Sequence, residues 1–184
     1  MNTLKNNLFA FIAVLMFSAL FLIGLPVNAN AQKREKSLTE RVRHELVTLP
    51  YYGVFDNLAY KVDGSTVTLY GQVVRPTTQK DAARRVSKLE GVSNVVNDIE
   101  VLPLSSFDDS IRYRTVRAIA NYGAMYRYFQ GVNPSLHVIV KNGNVTLEGV
   151  VANKSDADLA NIAANGVFGV FSVTNNLQTD REAR

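Results

Sequence analysis

The chain has 184 residues, of which 47% are hydrophobic and 20% are charged, and this composition is typical of a globular protein. Cysteine is absent and only two histidines occur. Disulfides and cysteine-ligated metals are therefore excluded, and a histidine-based catalytic centre is disfavoured. The net charge of +4 is far below the basic excess of a dedicated nucleic-acid-binding protein, so no nucleic-acid partner is expected.

The N-terminal segment, residues 1–31, has the pattern of a secretory signal peptide. Lys5 precedes an apolar run over residues 8–25, Pro26 ends that run, and Ala29 and Ala31 form a small-x-small cleavage motif. We expect cleavage after Ala31 and export from the cytoplasm. An uncleaved membrane anchor is the alternative, since a run of this length just spans a bilayer. No cysteine follows the run, so lipid modification there is excluded.

The remaining chain contains one unit twice. The pentapeptide that begins at Val67 matches the one that begins at Val145, and Gly91-Val92 matches Gly169-Val170 at the same offset without a gap. A constant offset over such a length indicates two copies of one domain.

The first copy is predicted to open with a helix, because apolar residues recur at helical spacing. A hairpin follows, with its turn at Gly64 and alternating apolar residues on both strands. A second helix is expected to bury Ala82, Val86 and Leu89 and to end at Gly91, before a last strand over residues 95–101. The apolar stripe of the opening helix consists of Leu38, Val42, Leu46 and Leu49.

The second copy repeats this order after a short linker over residues 103–106. Its opening helix is expected to bury Ile111, Thr115, Ile119 and Tyr122, and its hairpin turns at Gly143. The next helix is expected to bury Leu159, Ile162 and Ala163, and Gly169 follows it. Within the strands, Gly71 and Gly149 are explained if a helix packs closely on the sheet at those points.

The predicted fold is α+β: two tandem α-β-β-α-β domains, each a three-stranded mixed sheet with two helices packed on one face. We place the domains at residues 37–103 and 108–180. Each is so small that its core is thin, and the two are expected to support each other.

The repeated string resembles the BON domain family. It reads Val-x-Asn/Asp-Gly-x-Val-Thr-Leu-x-Gly-x-Val, then a helix, then Gly-Val-x-x-Val-x-Asn-x-Ile/Leu. The resemblance covers nearly all of the chain after residue 31, and it rests on turn and core positions. It implies a periplasmic protein of the kind induced by osmotic stress, which binds phospholipid or other envelope components.

No catalytic constellation, cofactor motif or metal-ligand spacing is found, so we expect no enzyme, no cofactor and no metal. The pairs Asp108/Asp109 and Asp156/Asp158 lie where helix starts favour acidic residues. His44 is expected on a solvated helix face, and His137 on a strand without an obvious partner.

A charge asymmetry in the second copy carries the functional hypothesis. Between Asp109 and Glu148 there is no acidic residue, yet arginines and aromatic residues are frequent. Such a surface suits anionic phospholipid, which attracts the charges while the rings settle among the headgroups. The alternative is that the aromatic residues fill the core and the arginines only keep the domain soluble. The candidate lipid-binding residues are Arg112, Arg114, Arg117, Tyr122, Tyr126, Arg127, Tyr128 and Phe129.

The favoured function is reversible binding of anionic phospholipid or other envelope components by an exported protein with a role in envelope integrity or osmotic stress. The alternative function is a periplasmic protein-interaction or chaperone-like stress module that does not contact lipid. Partners among envelope proteins stay open, and so does the oligomeric state.

Overall fold

The computed structural model describes the backbone of residues 29–182 and the side chains of residues 38–182. The chain divides into two units, Met1–Lys36 and Ser37–Arg184, and the second contains both repeats. The predicted signal peptide lies outside the described residues, except for the first three residues of the first helix. In the described part of the chain, no helix combines the length and the hydropathy needed to cross a membrane.

The first domain has the predicted α-β-β-α-β order. Its elements are α1 (Ala29–Val47), β1 (Asn57–Asp63), β2 (Thr66–Val73), α2 (Pro76–Val86) and β3 (Asn94–Val101). The central strand β2 pairs antiparallel with β1 and parallel with β3, so the sheet is mixed. The predicted stripes are confirmed except at Leu89, which follows the end of α2 and is only partly buried. Val42, Leu46 and Val86 pack with the buried face of β2 in one core.

The second domain repeats this order with two additions. A 3-10 helix follows the first α-helix, and a short fourth strand also pairs with the central strand. The elements are α3 (Ser106–Ala120), the 3-10 helix (Met125–Phe129), β4 (Leu136–Lys141), β5 (Asn144–Val151), α4 (Lys154–Asn165), β6 (Ser172–Asn175) and β7 (Gln178–Thr179). The single last strand expected from the sequence is thus divided into β6 and β7.

Two predicted core residues of the second domain are wrong. Ile162 and Tyr122 are exposed, and Leu159 is only partly buried. Helix α4 instead turns a row of small side chains towards the core, which lets it pack closely on α3 and the sheet. The buried residues of α4 are Ala157, Ala160, Ala163 and Ala164.

The strand glycines are explained by a neighbouring strand rather than by a helix. At Gly149, φ is +115° and a Cβ atom would lie 2.1 Å from the carbonyl oxygen of Ser135, just before β4. Gly71 has the same relationship to Asn57. A side chain at either position would strike backbone, so the predicted helix contact is wrong. Positive φ angles at the other predicted structural glycines, Gly64, Gly91, Gly143 and Gly169, agree with their roles at turns and helix ends.

A short segment of the first domain lies along the second. We call residues 52–56 the strap. The backbone N–H of Val138 in β4 donates to the carbonyl oxygen of Val54 at 2.8 Å, as an added strand would. The ring of Phe55 packs against the core of the second domain and meets Tyr113 of α3 edge-on at 5.1 Å between centroids. The two domains therefore share one continuous contact, as their small cores require.

The strap is held in shape by a buried carboxylate. Asp56 accepts hydrogen bonds from the backbone N–H of Gly53 (3.0 Å) and of Val74 (2.8 Å). Burial raises the pKa of Asp56, while these two N–H groups and the charges of Arg75 and Arg112 oppose that rise. The carboxylate thus ties the strap to the end of β2.

Candidate functional site

Two of the eight candidate lipid-binding residues lie inside the second domain. Arg112 is 2% exposed and donates to Asp109 Oδ1 at 2.5 Å and to the carbonyl oxygen of Val140 at 2.7 Å. Tyr128 is buried, donates to the carboxylate of Asp156 and accepts from the backbone N–H of Ala152. Neither side chain can reach a membrane surface, and both are removed from the candidate set.

Arg127 is exposed but already paired. Its guanidinium donates to Asp156 Oδ2 at 2.5 Å and lies 4.8 Å from the centroid of the Tyr128 ring. The hydrogen bond to Tyr128, and then the contact with Asp156, raise the pKa of Arg127. This side chain therefore joins the 3-10 helix to the start of α4, and much of its charge is compensated.

The other candidates are divided between two places. Tyr122 and Tyr126 are exposed beyond the C-terminal end of α3, while Phe129 is partly buried against the core. Arg114 and Arg117 lie one turn apart on α3, and Arg117 is exposed. The structure does not gather the predicted residues into one patch.

The largest exposed apolar feature near Arg114 was missed by sequence reasoning. Phe107, Phe168 and Phe171 are 45%, 84% and 75% exposed, and we call them the phenylalanine cluster. The rings of Phe107 and Phe171 lie 6.2 Å apart between centroids, and the guanidinium of Arg114 lies 5.9 Å from the centroid of Phe168. Grouped exposed aromatic rings are candidates for an interaction surface.

Two glycines leave the space in which the rings of Phe171 and Phe107 lie. A Cβ atom at Gly143 would lie 2.5 Å from the ring of Phe171, and one at Gly169 would lie 3.2 Å from the ring of Phe107. The backbone N–H of Phe171 donates to the carbonyl oxygen of Gly143, which fixes the loop after α4 against the β4–β5 turn. The cluster is thus held by the domain rather than by a free loop.

A comparison of the two copies in the sequence could have identified two of these phenylalanines. At the constant offset, Phe168 and Phe171 correspond to Glu90 and Ser93 of the first copy. An exposed aromatic residue at a position that is polar in the other copy is the signal in the sequence that could have pointed to this surface.

An open cleft of about 660 Å³ lies between strands of both domains, and polar groups line it. Two of its three carboxylates are engaged locally: Glu100 pairs with Lys141 at 2.5 Å, and Glu148 accepts from Asn176 at 2.7 Å. Across the described residues, no three histidine, aspartate or glutamate side chains are grouped as a metal ion would require.

The acidic pairs noted in the sequence have structural partners. Asp108 is buried at the start of α3 and accepts from the backbone N–H groups of Asn142 (2.9 Å) and Gly143 (2.8 Å) in the β4–β5 turn. Asp156 lies in the first turn of α4 and binds Tyr128 and Arg127. Both carboxylates hold elements of the second domain together.

Comparisons with known proteins agree with the repeat. A model of the BON domain matches twice, at residues 34–103 and 127–181. Osmotically-inducible protein Y of Escherichia coli (strain K12) is 28% identical over 148 residues, which are 79% of this chain and 72% of that protein.

Two solved structures of CdsD, a structural protein of the type III secretion system of Chlamydia trachomatis, also align. The first, of its C-terminal domain, is 11% identical with a TM-score of 0.31 and covers 76% of this chain and 96% of its own. The second is 13% identical with a TM-score of 0.28 and covers 80% and 95%. These TM-scores are too low to support an argument. The family matches to both repeats, together with the two α-β-β-α-β domains, identify the chain as a member of the BON domain family.

Proposed function

We propose that this is an exported, periplasmic, non-enzymatic protein that binds anionic phospholipid surfaces reversibly through its second BON domain and acts in the response to osmotic stress. The signal-peptide pattern supports export, and similarity to a protein named for osmotic induction supports the physiological setting. The structural use of Asp56, Asp108 and Asp156 supports a binding role rather than catalysis.

The phenylalanine cluster carries the proposal. Aromatic rings favour the interfacial region of a bilayer, where apolar and polar surroundings meet. Arg114, which is partly buried beside Phe168, and Arg117, which is exposed, lie on α3 after Phe107. Each basic residue near an anionic surface contributes about 1 kcal/mol. The rings would enter the headgroup layer while the guanidinium groups pair with phosphates.

Reversibility follows from the size of the surface. The surface has only three exposed rings and two cations, and salt screens the attraction of the cations, because the Debye length is about 8 Å at physiological ionic strength. No covalent acyl chain adds to it, since the chain has no cysteine.

Co-sedimentation with liposomes of graded anionic content, at low and high salt, tests the proposal. We expect binding that requires anionic lipid and decreases with salt. The double substitution Phe168→Ser with Phe171→Ser should abolish it, and so should Arg114→Glu with Arg117→Glu. Tyr122→Ser with Tyr126→Ser is the matched control, because it removes two exposed aromatic rings from a different place.

Binding that survives the phenylalanine substitutions but is lost in the tyrosine control would assign the membrane contact to the other surface. Absence of lipid binding, together with recovery of one stoichiometric envelope protein through the phenylalanine cluster, would establish the protein-interaction alternative instead.

A further inference from the structure

The strap covers an edge that the fold would otherwise leave open. In the second domain, the inward residues Leu136, Val138 and Val140 of β4 are all 0% exposed. The strap contributes to this burial, since Phe55 packs on the same core and Val54 accepts the hydrogen bond of the Val138 backbone N–H. An edge strand with an unpaired row of N–H and C=O groups is a template for another chain, and here the template is occupied.

Among the residues that the structure describes, none covers the same edge of the first domain as the strap covers β4. Leu58, Tyr60 and Val62 of β1 correspond to the three β4 residues, yet they are only partly buried. Tyr60 lies opposite Leu69, as Val138 lies opposite Leu147 in the second domain. The backbone N–H of Val138 points away from its hairpin partner, and that of Tyr60 therefore points away from β2. This N–H group is the one that would donate a hydrogen bond to a carbonyl oxygen of a strap.

A groove of about 350 Å³ lies along this edge, between α1 and β1. Most of its lining residues are apolar or aromatic, and Arg43 is the charged residue among them. The lining residues are Arg43, Leu46, Val47, Tyr52, Leu58, Ala59 and Tyr60. At the repeat offset, its strand residues Leu58, Ala59 and Tyr60 correspond to Leu136, His137 and Val138, the part of β4 that the strap contacts in the second domain.

The second domain carries its own counterpart of the strap. Residues 130–134 precede β4 as the strap precedes β1, and Gly131-Val132 matches Gly53-Val54 at the repeat offset. Val132 is 86% exposed, in contrast to the partly buried Val54. In the part of the chain that the structure describes, the second domain therefore has a strap-like segment with an exposed Val132, and the first domain has a groove that no strap fills.

We propose that residues 130–134 of one molecule dock on the β1 edge of a second copy of this chain, as the strap docks on β4 within one molecule. The carbonyl oxygen of Val132 would accept from the backbone N–H of Tyr60, and Gly131 would lie beside Ala59. The contact is head-to-tail, so it generates a ring where the rotation closes and a filament where it does not.

This contact between molecules is weaker than the contact within the chain. Ala59 stands where the second domain has His137, and Asn133 stands where the strap has Phe55. One side-chain hydrogen bond and two ring contacts, those of His137 with Tyr52 and of Phe55 with Tyr113, are therefore lost. Self-association should depend on concentration, and the protein should be monomeric when dilute.

Site-specific cross-linking tests the register directly, because the natural chain has no cysteine. Ala59→Cys and Val132→Cys variants, each purified from cells that express the complete chain, are mixed in equal amounts under mild oxidation. We expect a disulfide-linked heterodimer to form at least tenfold faster than in a mixture of Ala59→Cys with Leu104→Cys. Leu104 is 96% exposed and lies in the linker, so it reports random collision. Equal rates would overturn the proposal.

Sedimentation velocity over a range of concentrations supplies a measurement without cysteine. The natural protein should shift to larger species as concentration rises, and Val132→Asp should remain monomeric. Leu104→Asp, which adds the same charge at another exposed apolar position, should associate as the natural protein does. A single monomeric species of the natural protein at every concentration would contradict the proposal, and so would association that Val132→Asp leaves unchanged.

Discussion

The imidazole of His137, in the second domain, lies with Nδ1 3.1 Å from the carbonyl oxygen of Gly53, in the first. A carbonyl oxygen only accepts, so Nδ1 is the protonated nitrogen of the ring. Burial lowers the pKa of His137, although nearby carbonyl groups of Gly53, Asp56 and Pro134 oppose the shift. The ring also contacts Tyr52 at 5.6 Å between centroids. A neutral histidine thus lies in the contact between the domains.

This arrangement predicts a loss of stability in mild acid. Since the folded state lowers the pKa of His137, the unfolded chain binds its proton first, at a pKa of about 6.5. The free energy of unfolding should therefore fall as the pH decreases from about 6.5 towards the lower pKa of the folded state. Urea unfolding at several pH values between 7.5 and 5 measures this slope.

His137→Gln is the matched variant, because it does not titrate. Asp56 is the acidic residue of the strap itself. Burial raises its pKa, so its own contribution to stability changes in the opposite sense and falls as the pH rises. Both proteins contain Asp56, and the difference between their slopes isolates His137. Equal slopes would show that His137 does not control the acid sensitivity.

The buried carboxylate of Asp108 should be one of the largest single contributors to the stability of the second domain. Asp108→Ala leaves the backbone N–H groups of Asn142 and Gly143 without their acceptor, which should cost about 3 kcal/mol. Asp158→Ala removes only an exposed pair with Lys154 and should cost less than about 0.5 kcal/mol. Chemical denaturation measures both, and a similar small effect for the two variants would refute the structural role of Asp108.

The close approach at Gly149 predicts that even a methyl group is not tolerated. Gly149→Ala places Cβ against the carbonyl oxygen of Ser135 at a positive φ, and should cost about 3 kcal/mol or more. Gly166→Ala is the control, since its nearest neighbour would be 3.6 Å away and its φ is −78°. Thermal unfolding should show a decrease of about 10 °C for the first variant and little change for the second.

Sequence reasoning found the features that depend on neighbours along the chain. The repeat, the hairpins at Gly64 and Gly143 and the buried stripe of α1 follow from turn chemistry and from helical spacing. These patterns predict the fold class because both copies show them in the same order along the chain.

The candidate site depended on contacts between distant residues, and there the sequence was less informative. Arg112 looked like one of several surface arginines, but its acceptor, the carbonyl oxygen of Val140, comes from β4. Ile162 looked like core because it is apolar, yet α4 turns its alanines inward. The replacement of Glu90 by Phe168 is visible in the repeat, but only the folded chain shows that Phe168 lies beside Arg114.

Because of the strap, the order of the two domains along the chain decides how long the edge of β4 is uncovered during synthesis. His137 meets a partner 84 residues earlier, so that partner has already left the ribosome when β4 is made. The edge of β4 is therefore exposed to other chains only briefly. With the copies in the reverse order, the same edge would emerge before its cover and remain open to mispairing while the chain is synthesised.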